Sequence, residues 1–415
     1  MLSSRLPKDL SPSPFFAELE RAKAESAPFI DMTVSSPVKA GLPIDLDAAV
    51  DEGRESFGCW NPDAAGWKSA REAVVEYYRE RGGNFDAGQI ILTASTSEAY
   101  SVLFKAFCDP GDVILTPMPG YPLLDTLAQL EHLECAPYFL ELRRKTCGGE
   151  FRFVLDTDSL LAAPERAKIL LLVSPHNPTG HCVSREGWNA AVHFCEENNL
   201  ILVVDEVFGD YGFSPEVRRS WEYALDDRRK TIDESNIWDA GGGDFINLPE
   251  GGPKCPIFWL NGLSKAVGSP QLKLGWMAFY APREKFEEIR AALEFVEDAY
   301  LSVSAPAQAL GISLLPKAAA YESRVKERLL QNWQTLRESF PSKYCPEVLG
   351  GWYAVVRLGE DDEELTLRLL KEKHVLVQPG FFFDFDEDGW VVVSLLQEPA
   401  QFKEAVARMR ALAQG

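Results

Sequence analysis

Apolar positions in the first two thirds of the chain come in short runs that leave neither face polar. Residues 89–92, 112–115, 135–140, 169–173, 200–204, 256–260 and 275–280 each form such a run, bounded by Pro, Gly, Asp or Ser. Runs of this kind suit strands of a sheet covered on both sides. Between them, residues 97–107, 121–130 and 185–198 carry apolar side chains at helical spacing. The alternation predicts an α/β fold: a mainly parallel, seven-stranded sheet with helices on both faces. In such sheets ligands gather at the carboxyl ends of the strands.

The pattern changes at both ends. Residues 1–45 are rich in Pro and Ser and read as an arm with one short helix near 16–24. After residue 283 helical patterns dominate, at 284–295, 305–314, 321–340 and 363–374, with strand-like runs at 351–358 and 390–396. This predicts a large domain over 46–283 and a smaller α+β domain over 284–415. Residues 212–255 are irregular. Their glycines at 241–243 and 251–252 are not followed by Lys-Ser or Lys-Thr, so they read as loops and not as phosphate cradles.

Composition narrows the class. The 415 residues are 46% apolar, ample for a large core, and carry a net charge of −21. Such a surface repels phosphate backbones, which argues against nucleic acid as a partner. Eight cysteines are scattered with no Cys-x-x-Cys pair, and five histidines show no zinc-ligand spacing. Buried thiols in a reducing, cytoplasmic setting are the expectation. No apolar h-region follows Met1, and no run approaches a membrane span, so neither a secretory signal nor a membrane partner is expected.

The chemistry-bearing residues follow the strands. After 89–92 come Ser95, Thr96 and Ser97 at a helix start, where free N–H groups suit a phosphate as well as an ordinary N-cap. After 112–115, prolines hold Tyr121, whose ring would stack on a heteroaromatic ligand or fill a turn. After 169–173, Ser174-Pro-His-Asn177-Pro-Thr-Gly180 holds an amide at a strand end. After 200–204 comes Asp205, a carboxylate that needs a cationic partner: a protonated pyridine nitrogen, a Lys or Arg, or a metal. Between the last two runs lie Ser264, Lys265 and Lys273. A partly desolvated lysine amine can form a Schiff base with an aldehyde; two solvated lysines in a turn are the plainer alternative.

Pro-His-Asn-Pro-Thr-Gly, Asp-Glu-Val-Phe and Leu-Ser-Lys, in this order and spacing, resemble the class I/II aminotransferases of the fold-type-I pyridoxal-phosphate enzymes. The resemblance runs from about residue 30 to the C-terminus and includes Trp60-Asn-Pro-Asp-Ala-Ala-Gly66. It implies pyridoxal 5′-phosphate as cofactor, held as a Schiff base by Lys265, which then serves as general base and acid. It implies that Asp205 pairs with the ring N–H, Asn177 donates to the ring oxygen and Tyr121 stacks on the ring. Ser95, Thr96, Ser97, Ser264 and Lys273 would bind the phosphate. The 46–283 region becomes the cofactor-binding domain, and a homodimer with sites at its interface is implied.

Four positions depart from the family pattern. Phe208 stands where a tyrosine usually donates to the ring oxygen, Lys273 where an arginine binds phosphate, and Trp60 where a tyrosine reaches the neighbouring subunit. Val392 stands where an arginine clamps the substrate carboxylate; either another cation moves in, with Arg357, Arg54 and Lys39 as candidates, or the substrate is not an ordinary α-amino acid. The expected activity is amino transfer between an amino acid, alanine-type by the front segment, and a 2-oxo acid. A pyridoxal-phosphate lyase, such as a carbon–sulfur β-lyase, is the alternative. A non-catalytic sensor is disfavoured by the short segment ahead of the fold.

Overall fold

The computed structural model describes residues 3–413 except 8, 12–13, 26–27, 146–148, 215–216, 230–251, 302 and 360. The glycines at 241–243 and 251, and Cys147, lie outside the described residues. Eight strands form the main sheet, in the spatial order Ile90–Thr93, Gly275–Tyr280, Ile257–Gly262, Ile201–Asp205, Ala167–Val173, Val113–Met118, Glu134–Arg144 and Phe151–Leu155. Only Gly275–Tyr280 and Phe151–Leu155 run against the common direction.

All seven predicted strands are present, and Phe151–Leu155 is an eighth. It pairs with the far half of Glu134–Arg144, Leu142 opposite Phe153, as an antiparallel edge hairpin. Most of its residues are half-buried. The two-sided apolar signature of the central strands is therefore missing there.

Alternate side chains of the central strands feed two separate cores. Leu170, Leu172, Leu202, Val204, Ile257 and Trp259 enter one; Ile169, Leu171, Val203, Phe258 and Leu260 enter the other. Successive residues of a strand point to opposite faces, so a doubly covered strand must be apolar throughout. Each such side chain contributes roughly 1.5–3 kcal/mol on burial. Helix Arg185–Asn198 covers the first face through Trp188, Ala191 and Cys195. Ser184 caps its start by accepting from the Gly187 N–H at 3.1 Å, and Asn199 ends it in the left-handed region. Helix Thr96–Phe107 covers the second face through Ala99, Leu103 and Phe104.

Beyond the main sheet, Tyr353–Arg357, Trp390–Ser394 and Gln378–Pro379 form a three-stranded antiparallel sheet. The front of the chain packs here. Ile30–Asp31 pairs with Val375–Leu376, and Phe15, Leu19 and Ala22 of helix Pro14–Glu25 bury against Leu370 and Leu376. Among the described residues no helix is long and apolar enough to cross a membrane, no disulfide forms, and no acidic, His and Cys cluster has metal-binding geometry.

Candidate active site

The parallel strands bring their carboxyl ends to one edge of the sheet. In the cross-strand registers Val173 lies beside Asp205 and Asp205 beside Leu260. Thr93 and Gly262 both face Gly275. Segments remote in sequence, those of Ser95, Asn177, Asp205 and Lys265, thus leave the sheet side by side.

Asp205 ends its strand with both oxygens engaged. Oδ2 accepts from the Tyr100 hydroxyl at 2.6 Å, and Oδ1 accepts from the Val207 N–H at 3.0 Å. Burial raises its pKa, while Tyr100, Val207 and the Lys265 charge oppose that rise. The Lys265 amine is pushed down to about 8 by burial, against the pull of Asp205. Its Nζ lies 4.6 Å from the centre of the Trp352 ring and 5.3 Å from that of Phe208. The Tyr211 hydroxyl donates to the Lys265 carbonyl at 2.6 Å, which fixes the short helix Leu263–Ala266 carrying both Ser264 and Lys265.

Asn177 sits in a loop bolted to its surroundings. His176 Nδ1 and Thr179 Oγ1 are 2.9 Å apart, and the Gly180 carbonyl accepts from Leu349 N–H at 2.9 Å. Gly180 has φ +68°, and a Cβ there would meet Val348 Cγ1 at 2.5 Å, so glycine is required. Burial holds the His176 imidazole neutral, its pKa lowered to about 3. The Asn177 Oδ1 is buried without a partner.

Ser95 caps helix Thr96–Phe107 by accepting from the Glu98 N–H at 3.2 Å, which places Thr96 and Ser97 in the first turn. That turn rests on Gly275: a Cβ there would meet the Ser95 carbonyl carbon at 2.9 Å and Thr96 N at 3.1 Å. Tyr121 is 44% exposed, and burial and the Asp205 charge together raise its phenol pKa. Lys273 is exposed in the left-handed region at φ +55°. Trp60 is 81% exposed.

The strand Trp390–Ser394 is buried throughout and carries no cation, with Val392 facing Val355 and Gln378. Arg357 is spent on Glu387 and the Asp388 carbonyl, and Arg54 on Asp51. Lys39 is exposed, with no ion pair among the described residues. Its segment adjoins the site, because Ser35 hydrogen-bonds Tyr353, whose ring centre is 6.0 Å from that of Phe208.

Tyr100, Tyr211, Trp352 and Tyr353 are the site residues that motif reading missed. Tyr100 lies at an apolar position of its helix, where a tyrosine passes for core. Trp352 and Tyr353 follow Gly350-Gly351 at a strand start, and that glycine pair next to two aromatics was the available signal.

The residues present fit pyridoxal phosphate. A lysine amine lowered to about 8 suits its aldehyde, a buried carboxylate suits a protonated ring nitrogen, the Nδ2 donors of the Asn177 amide suit a ring oxygen, and a capped helix start suits a phosphate. Fold and site together are those of a pyridoxal-phosphate enzyme. The aminotransferase class I and II family model matches residues 48–409, and the chain belongs to that family. It is a pyridoxal-phosphate-dependent aminotransferase. A glutamate–pyruvate aminotransferase of Haemophilus influenzae is 22% identical over 414 residues, spanning 95% of this chain and 93% of its own. An alanine aminotransferase of Mycobacterium tuberculosis is 28% identical over 337 residues, 78% of this chain and 71% of that one. The solved alanine aminotransferase of Pyrococcus furiosus superposes with a TM-score of 0.79 at 22% identity, each chain covered in full.

Proposed function

We propose that the enzyme moves an amino group between a small neutral amino acid of the alanine type and a 2-oxo acid, with Lys265 as the residue that holds the cofactor and moves the proton. The observation that carries this is the Lys265 amine, which faces the rings of Trp352 and Phe208, feels the Asp205 charge and is lowered by burial to about 8. The names of the relatives support the alanine-type substrate.

Pyridoxal phosphate, when bound, supplies an electron sink for the charge left on the substrate's α-carbon. Lys265 would take up and hold the proton lost from that carbon, a task that suits an amine poised near working pH. Asp205 would keep the ring nitrogen protonated, and Asn177 would donate to the ring oxygen. Tyr121 would stack on the ring. Ser95, Thr96, Ser97, Ser264 and Lys273 would hold the phosphate, the first three with the N–H groups of the helix start. Lys39 takes the substrate carboxylate. Arg54 and Arg357 already have partners, and Arg357 lies four residues along its strand from Tyr353, about 13 Å at strand rise.

A homodimer in the cytoplasm, built from an arm over 1–45, a cofactor domain over 46–283 and a smaller domain over 284–415, completes the proposal. The test is to mix the yellow holoenzyme with single amino acids and record the spectrum. Alanine should convert the visible band to that of the pyridoxamine form with release of one equivalent of pyruvate, and adding a 2-oxo acid such as 2-oxoglutarate should take up the amino group and restore the band. Pyruvate released from a cysteine conjugate with no acceptor present, and no conversion by alanine, would overturn it.

A further inference from the structure

Asp205 is held by a residue outside every motif. We propose that Tyr100 is a positioning residue that fixes the Asp205 carboxylate, in its ionised form, toward the cofactor's ring nitrogen, a role that rests on Asp205 meeting that nitrogen as proposed above.

A carboxylate offers two oxygens and about four acceptor sites. Val207 N–H fills one on Oδ1 at 3.0 Å, and the Tyr100 hydroxyl fills one on Oδ2 at 2.6 Å. One donor on each oxygen stops the carboxyl group from turning and leaves lone pairs for a cation. The two donors also favour the charged form over the neutral one. Tyr100 is 3% exposed, and burial together with the Asp205 charge raises its own pKa well above the ordinary value. Its hydroxyl therefore keeps its proton at working pH and serves only as a donor to Asp205.

The placement of Tyr100 adds a second consequence. It stands in helix Thr96–Phe107, four residues beyond Thr96 and three beyond Ser97. That is about one turn, roughly 6 Å of rise. One rigid element thus carries the first-turn groups that face the phosphate and the donor that sets the carboxylate for the ring nitrogen. The Tyr100 ring itself is locked in the core, 6.1 Å from the Phe104 ring.

Tyr100→Phe removes one oxygen and leaves that packing in place. Cofactor-free protein is titrated with pyridoxal phosphate across pH, followed by absorbance, for wild type, Tyr100→Phe, Asp205→Asn and the double variant. A hydrogen bond to a charged group corresponds to about a 10- to 100-fold change in an equilibrium constant. Tyr100→Phe should weaken binding by that factor at neutral pH. Because losing the donor raises the Asp205 pKa, its affinity should also begin to fall at a higher pH on acidification than in wild type. In the Asp205→Asn background the same substitution should change affinity by less than about twofold, since no charge is left to hold. Ring-nitrogen NMR with labelled cofactor should show the nitrogen less protonated in Tyr100→Phe. Equal losses in both backgrounds would mark a merely structural residue and overturn the proposal, as would wild-type affinity and an unchanged nitrogen signal in Tyr100→Phe. Wild-type protein that takes up no pyridoxal phosphate would instead overturn the site assignment together with it.

Discussion

The amine of Lys265 lies 4.6 Å from the centre of the Trp352 ring, closer than the 5.3 Å to that of Phe208. Two effects meet there. Ring faces attract an ammonium, but burial disfavours it and wins, bringing the amine to about 8. Capture of pyridoxal phosphate by the cofactor-free enzyme should therefore accelerate as pH rises through about 8 and level off above it. An ordinary lysine would show its midpoint near 10.4. Stopped-flow absorbance across pH 6 to about 10.5 separates the two.

Phe208 brings a ring without a hydroxyl to the same amine, 5.3 Å from its centre. Phe208→Tyr restores a donor worth roughly 0.5–1.5 kcal/mol. A donor to the ring oxygen favours the deprotonated chromophore. The pH midpoint of the holoenzyme's visible band should fall by about one unit in the variant. Coincident titration curves for the two proteins would rule out a ring-oxygen contact at position 208.

Substrate binding should respond to Lys39 and not to Arg357. Lys39→Ala is expected to raise KM for the amino acid about tenfold with kcat little changed, the size of one charge-assisted contact. Arg357→Ala, which breaks the pair with Glu387 and the bond to the Asp388 carbonyl, should leave both constants near wild type. Steady-state kinetics on the two variants decides between them; the reverse pattern would move the carboxylate to the three-stranded sheet.

Glu206, next to Asp205, is a stability group. Its buried carboxyl accepts from the Ser220 N–H and hydroxyl, each at 2.6 Å, and burial raises its pKa to about 7. A carboxyl with a raised folded-state pKa stabilises fully below its unfolded value of 4.5, and that contribution is lost as pH rises through about 7. The difference corresponds to about 3 kcal/mol. Glu206→Gln keeps an acceptor and removes the titration. Denaturant unfolding should show a flatter pH dependence for the variant between about pH 4.5 and 7, with the variant gaining on wild type toward pH 8. Parallel curves would contradict this.

What was legible in the sequence follows from burial. Strands covered on both faces, such as Ile257–Gly262, must be apolar at every position, so they announced themselves. Helix Arg185–Asn198 carries both end signals, Ser184 and Asn199, and its predicted bounds hold. The edge strand Phe151–Leu155 has one fully buried residue, Phe153, and no such signature. Asp205, Asn177 and Lys265 were legible because each stands at or just past the end of a strand, where a polar residue is conspicuous. Tyr100 was not, because its ring packs in the core and only its hydroxyl reaches Asp205. Trp352 comes to Lys265 through pairing of the Leu349–Gly350 backbone with Gly180, a contact 169 residues apart in the chain that no local pattern records.

The role of Lys265 can be tested directly. Holoenzyme is reduced with borohydride, digested, and the fixed cofactor located by mass spectrometry. The phosphopyridoxyl group should lie on Lys265 alone, and Lys265→Ala should carry none. A label on Lys273 or on another lysine, or an unlabelled wild-type protein, would contradict the assignment.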